Sequence, residues 1–154
     1  MSETKQCGGC SRELEVKIRV EHNDLLPFYA TDGSAGMDLR ADLAGKVVLR
    51  PNESMIIPTG ISIELPVGYE AQVRPRSGLS KKRINVSFGT IDSDYRGVIG
   101  INIHNASNDV FEIYPLDRIA QMVVSKYERI KWQEVKELEG TKRGAGGFGS
   151  TGMI

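Results

Sequence analysis

The sequence predicts an all-β domain, either a sandwich or a jelly-roll-like barrel, with one short helix and a glycine-rich C-terminal arm. Two observations carry this reading: short segments in which apolar and polar residues alternate, and turn residues in the gaps between them. Leu14, Val16, Ile18 and Val20 alternate with Glu15, Lys17 and Arg19. That is the pattern of a half-buried strand, whose successive side chains point to opposite faces. Met37, Leu39 and Ala41 alternate with Asp38 and Arg40, Ile61, Ile63 and Leu65 with Ser62 and Glu64, and Ile101 and Ile103 with Asn102 and His104. Asp32-Gly33, Pro51-Asn52, Pro58-Thr59-Gly60 and Pro66-Val67-Gly68 supply the turns. Many short strands at this spacing argue against a βαβ fold. One helix is expected, capped by Ser77 and running a turn or two to Lys82, ahead of a strand at Ile84. From Tyr127 to Glu139 two patterns compete: Trp132, Val135 and Leu138 fit a helical stripe, while the β-rich context favours a strand. The domain is expected to span 14–140, between a flexible tail (1–13) and a mobile arm (141–154).

Twenty basic side chains balance twenty acidic ones. A dedicated nucleic-acid binder usually carries a broad basic face, so no nucleic-acid partner is expected. A small anionic ligand needs only a local cluster of positive charge. No apolar run reaches the length of a membrane span, and the polar start lacks the apolar core of a secretory signal. The expectation is a cytoplasmic protein, or one of another soluble intracellular compartment, with no membrane partner. Cys7 and Cys10 make a CxxC pair, but a second pair is missing and His22 and His104 lie in unrelated contexts. The pair is read as part of the tail rather than as half a zinc site.

Four segments could carry chemistry. In Arg74-Pro75-Arg76-Ser77-Gly78-Leu79-Ser80, two arginines lead into a hydroxyl, a glycine and an expected helix start, an arrangement that suits anions. A solvated basic loop continued by Lys81, Lys82 and Arg83 would look the same. In Gly89-Thr90-Ile91-Asp92-Ser93-Asp94-Tyr95-Arg96-Gly97, two carboxylates two residues apart share a side if the backbone is extended. Such a pair can supply a general base or a hydrated metal site; it is also a common turn composition. Asp117-Arg118-Ile119-Ala120-Gln121 reads, taken alone, as a strand entering from the surface. Residues Arg143 to Gly152 contain a GxGxxG match, but neither a preceding strand nor a following helix supports a dinucleotide fold. What remains is an arm with one arginine, one aromatic ring and two hydroxyls, able to close over a ligand as a lid.

In this order, and with Ala35-Gly36-Met37-Asp38-Leu39-Arg40-Ala41 ahead of them, these segments closely resemble the five motifs of the trimeric dUTPase family. The resemblance runs from about residue 14 to 152. It implies a jelly-roll-like β barrel and a homotrimer with three shared active sites. Such an enzyme, with Mg²⁺, converts dUTP and water to dUMP and pyrophosphate, limiting uracil in DNA and supplying dUMP for dTMP synthesis. By the same analogy Asp92 activates the water that attacks the α-phosphorus. Arg76, Ser77, Gly78 and Gln121 hold phosphate oxygens, and Asp38 reaches through water to a Mg²⁺ seated on the triphosphate. Backbone around Ile84 to Ile91, with Asn85, Thr90 and Ile91 among the substrate-binding positions, forms a uracil-reading hairpin, and Tyr95 packs on the sugar. The arm crosses to a neighbouring subunit, setting Arg143 on the γ-phosphate and Phe148, Gly149 and Ser150 over the nucleotide.

The chain departs from the usual pattern at four places. Val86 stands where many members carry Asn, and Phe88 where a small residue or proline is usual; both bear on uracil selection. Val98 replaces a common acidic residue and Leu116 a common glycine; both are expected to bear on subunit packing. A related family, the dCTP deaminases, tends to have Ser-Ser after the arginine and glycine at the second Asp. Ser77-Gly78 and Asp92-Ser93-Asp94-Tyr95 follow the hydrolase instead. A non-catalytic nucleotide sensor on the same scaffold is the rival of another class, and intact Asp92, Arg76 and arm residues argue against it.

Overall fold

The computed structural model describes residues 13–147. After β1 (Lys17–Val20) comes a 3₁₀ turn at Asn23–Leu25, which the alternation did not indicate, and then β2 (Phe28–Tyr29) and β3 (Met37–Arg40). β4 (Val47–Leu49), β5 (Ser54–Pro58), β6 (Ile61–Glu64) and β7 (Tyr69–Arg74) precede α1 (Ser77–Lys81), the one α-helix among the described residues. β8 (Ile84–Val86), β9 (Gly89–Ile91), β10 (Gly100–Asn105), β11 (Phe111–Ile113) and β12 (Arg118–Lys126) complete the order. The described strands pair antiparallel in four sheets: β2-β3-β12-β7-β9, β5-β10-β8, β1-β6 and β11-β4. The sheets do not close into a continuous barrel, and the arrangement is jelly-roll-like.

Alternation does what the sequence led one to expect. In β10, Ile101 and Ile103 are fully buried while Gly100 and Asn102 face out. Ile57, Ile61 and Ile113 meet them in the core. Burying one such side chain is worth about 1.5–3 kcal/mol. At the rim of the core, Lys46 Nζ lies 2.7 Å from Glu112 and Tyr114 donates its hydroxyl to the same carboxylate at 2.6 Å. The Lys46 hydrogen bond, then that of Tyr114, holds the Glu112 carboxyl below its ordinary range. These groups stand in solvent and tie β4 to β11 with little net stability.

Three local expectations are corrected. The N-cap of α1 is Arg76, still extended at φ −95° and ψ 138°, and Ser77 is the first helical residue. The Arg76 carbonyl accepts from Leu79 and Ser80 N–H, so no side-chain cap is needed. Segment Ile84 to Ile91 is not a paired hairpin. β8 joins β10, extended by Ser87 N–H donating to Asn102 O, while β9 joins β7, so Ser87 and Phe88 carry the chain between sheets. Finally, Tyr127 to Glu139 is neither strand nor helix. A strand needs a hydrogen-bonding neighbour, and after Tyr127 N–H reaches Gly68 O the segment runs exposed.

The Leu116 departure has a local explanation. Tyr114-Pro115-Leu116-Asp117 closes through Asp117 N–H donating to Tyr114 O, with Leu116 at φ +67°. Pro at the second position and positive φ at the third describe a type II turn, which favours glycine. Leu116→Gly is therefore expected to raise unfolding free energy by about 1 kcal/mol, since relief of left-handed strain exceeds the entropy lost to glycine. Urea titration checks this; a destabilised variant would mean that Leu116 packing outweighs the strain.

Candidate active site

Because β12 lies between β3 and β7, Gln121 is paired with Asp38 on one side and Arg74 on the other. Directly opposed residues share a face, so these three project together, while Leu39, Ala120, Met122 and Val73 fill the core side. Over the outer face opens a cleft of about 370 Å³ lined by Asp38, Arg76, Ser77, Gly78 and Gln121, and also by Arg74 and Arg118. Asp38 is buried, and its carboxylate takes Arg76 Nε at 2.8 Å on one oxygen and an Arg118 NH at 3.2 Å on the other. Arg76 also donates to the Arg118 carbonyl at 3.1 Å. The Asp38 carboxylate thereby fixes both guanidinium planes, which costs a ligand less ordering entropy. Gln121 donates to Pro75 O at 2.9 Å, tying the loop before α1 to the sheet. Gly36 is required beneath it: a Cβ there would overlap the Gln121 amide.

A second cleft, of about 200 Å³, is lined by Gly89, Thr90, Ile91, Asp92 and Tyr95 together with Val73. Asp92 follows β9, and Tyr95 N–H donates to its carbonyl at 3.1 Å. Asp92-Ser93-Asp94-Tyr95 is thus a turn, not extended chain, and of the two carboxylates only that of Asp92 lines the cleft. Among the described residues no side chain pairs with the Asp92 carboxylate, which is exposed and open to water. Tyr95 donates its hydroxyl to Val98 O at 3.1 Å and lies against Gly97, where a Cβ would strike the ring. The carbonyl at 98 serves this bond whatever the side chain.

The structure brings Asp38, Arg76, Ser77, Gly78 and Gln121 to one cleft and Thr90, Ile91, Asp92 and Tyr95 to another; the two share no lining residue. Val73 and Arg74, adjacent on β7, belong to different clefts because neighbouring strand residues face opposite ways. Asn85 is exposed on β8 opposite His104 and lines neither. Phe88 stands 75% exposed at the crossing between sheets. Arg143 is exposed and donates from Nε to Gly146 O at 2.8 Å. Phe148, Gly149 and Ser150, like Cys7 and Cys10, lie outside the described residues. Arg74 stood in the anion-suited segment and Arg118 in the Asp117–Gln121 segment, but neither was assigned a substrate contact; the strand register that aligns Arg74 with Gln121 carries no local signature.

The dUTPase family model matches residues 23–152. The deoxyuridine 5'-triphosphate nucleotidohydrolase of Rickettsia bellii is 55% identical over 144 residues, covering 90% of this chain and 96% of that protein. The protein of the same name from Orientia tsutsugamushi (strain Ikeda) is 48% identical over 147 residues, covering 91% and 99%. Among solved structures, the Staphylococcus bacteriophage 80alpha dUTPase with dUpNHpp superposes with a TM-score of 0.81 at 27% identity, over 90% of this chain and 99% of that one. A dUTPase from phage phi11 of S. aureus, described with a coordinated structural Mg(II) ion, gives 0.74 at 25% identity over 82% and 100%. A family model spanning most of the sequence, relatives about half identical along nearly their whole length, and a shared fold agree: the chain belongs to the dUTPase family, as a dUTP diphosphatase.

Proposed function

We propose that this chain hydrolyses dUTP to dUMP and pyrophosphate as a homotrimer, with Asp92 as the base that orients and deprotonates the attacking water. The observation that carries this reading is the division of labour between the clefts: arginines organised on Asp38 in one, a carboxylate with no partner among the described side chains in the other. A carboxylate beside a polyphosphate needs positive charge close by to offset repulsion. Arg76 supplies it, with Ser77, Gly78 and Gln121 as further donors to phosphate oxygens. Most of the rate would come from positioning and charge neutralisation, with general-base help from Asp92. Thr90 and Ile91 offer backbone to the uracil edge, and Asn85, outside both clefts on β8, is a further substrate-binding position. Tyr95, fixed on Gly97 and Val98 O, packs on the sugar. Arg143, Phe148, Gly149 and Ser150 close from the arm of another subunit.

The trimer is supported by two features. The clefts of one chain do not merge, as expected if each complete site is shared between copies. Exposed apolar residues also crowd the segment after β12: Ile130 is 66% exposed, Trp132 85% and Leu138 88%. Contact with neighbouring copies would bury them.

Among the described residues no three His, Cys, Asp or Glu side chains gather to hold a metal. That suits Mg²⁺, which keeps several waters and is bound through one or two carboxylates plus substrate phosphates. Asp38 is the carboxylate placed to hold it through water, and both its oxygens retain lone pairs beyond the arginine bonds. Bound there, the ion would neutralise triphosphate charge. No described helix is long and apolar enough to cross a membrane. We place the enzyme in the cytoplasm, where it limits uracil in DNA and supplies dUMP for dTMP synthesis, with no nucleic-acid partner.

Product analysis with Mg²⁺ and dUTP, dCTP or dTTP tests the reading. Formation of dUMP and pyrophosphate from dUTP alone is expected, which would also show that Val86 and Phe88 leave uracil selection intact. Deamination of dCTP or inertness toward all three would overturn it.

A further inference from the structure

Three arginines line the larger cleft, and they are not equivalent. Arg76 and Arg118 are both paired with Asp38, so any anion that recruits them competes with a buried carboxylate. Arg74 has no carboxylate partner among the described residues. Its Nε and one NH₂ group instead reach the side-chain oxygen of Gln72, at 3.2 and 2.8 Å. Gln72 in turn donates to Glu70 at 2.7 Å, and Ser125 donates to the same Glu70 oxygen at 3.4 Å.

The relay follows from strand geometry. Glu70, Gln72 and Arg74 alternate along β7 and therefore share its outer face, and Ser125 pairs with Glu70 on that face across the ladder. Gln72 acts as a spacer. It orients the Arg74 guanidinium through two bonds while contributing no charge, and the relay's one carboxylate, Glu70, is held two residues back along the strand. The half-buried Arg74 is left ordered, and among the described residues its remaining N–H donors are uncommitted. The cleft arginines and Asp38 sum to a formal +2, three guanidiniums against one carboxylate: +1 is shared by Arg76 and Arg118 on Asp38, and the other +1 stands on Arg74 alone.

We infer that Arg74 is a further phosphate-binding residue, set by the Gln72–Glu70 relay to take the pyrophosphate portion of the substrate. The inference rests on reading this cleft as the phosphate cradle. If Asp92 acts at the α-phosphorus from the other cleft, the arginine cleft receives the chain beyond it. A guanidinium offers forked donors that match phosphate oxygens, and one already ordered loses less entropy on binding.

The test is calorimetric binding of dUpNHpp, whose α,β-imido link resists cleavage, and of dUMP, to the intact protein and to three variants. Arg74→Gln is expected to weaken dUpNHpp roughly tenfold, the scale of one charge-assisted hydrogen bond, and dUMP less than twofold. Arg74→Lys keeps the charge but not the fork and should lie between. Unchanged dUpNHpp affinity in Arg74→Gln, or an equal loss for dUMP, would overturn the inference. Arg76→Gln separates the two failures. If it weakens dUpNHpp while Arg74→Gln does not, the cleft is the cradle and only the role of Arg74 is wrong. If neither variant matters and both melt as the parent does, the cradle itself is misplaced.

Discussion

Replacing Asp92 by Asn is expected to lower kcat by about 10² to 10⁴-fold, the range general-base catalysis supplies, while dUpNHpp binds within a few-fold of the parent. The substitution keeps shape and one oxygen, so the turn closed by Tyr95 N–H on the Asp92 carbonyl is undisturbed; that bond uses backbone alone. What disappears is the acceptor for a water proton. Because no described side chain pairs with this carboxylate, its loss leaves no partner stranded and should cost little stability. That combination, a large kinetic effect with a small thermal one, separates a reacting group from a structural one. Steady-state rates beside a thermal melt provide both readings. A kcat within tenfold of the parent would remove Asp92 from the role of base.

The sequence was most legible where one face of a strand meets the core. Ile101 and Ile103 announce β10 by period alone, and they are buried as that period requires. It was least legible where a partner in space decides the outcome. Trp132, Val135 and Leu138 satisfy a helical stripe and sit in a β-rich chain, yet the segment forms neither, for want of a described neighbour to pair with. The stretch from Ile84 to Ile91 is a hairpin by the family resemblance, but its two halves pair separately, one with β10 and the other with β7. The cleft residues divide in the same way. Arg76, Ser77 and Gly78 are consecutive and stood out as an anion motif. Arg74 was in view beside them, but its alignment with Gln121 depends on a β7–β12 register formed between positions 47 residues apart. Even Leu116, visible as a departure from glycine, needed the turn's φ of +67° before its cost had a cause.

Mixing two nearly dead proteins should restore activity. Asp92→Asn and Arg76→Gln chains, co-refolded in equal amounts, are expected to recover roughly a quarter of parental turnover per site if each site draws the two residues from different subunits of a closed ring. The estimate is combinatorial: a site works only when one contributing chain keeps Asp92 and the other keeps Arg76, each with even odds. The physical ground is the separation seen within one chain. Val73 looks into the cleft of Asp92 and Arg74 into that of Arg76, and β7 itself stands between them. A triphosphate bound on the arginine face of one subunit would therefore meet the Asp92 of another. Differently tagged chains, an aliquot of which is purified through both tags in series, establish that mixed oligomers formed; rates are taken on the unfractionated mixture, to which the quarter applies. Mixed oligomers as inactive as their parents would mean that one chain supplies both residues. The strand that divides the clefts would then have to be bypassed by a rearrangement of the turn from Asp92 to Tyr95, bringing its carboxylate around to the arginine face.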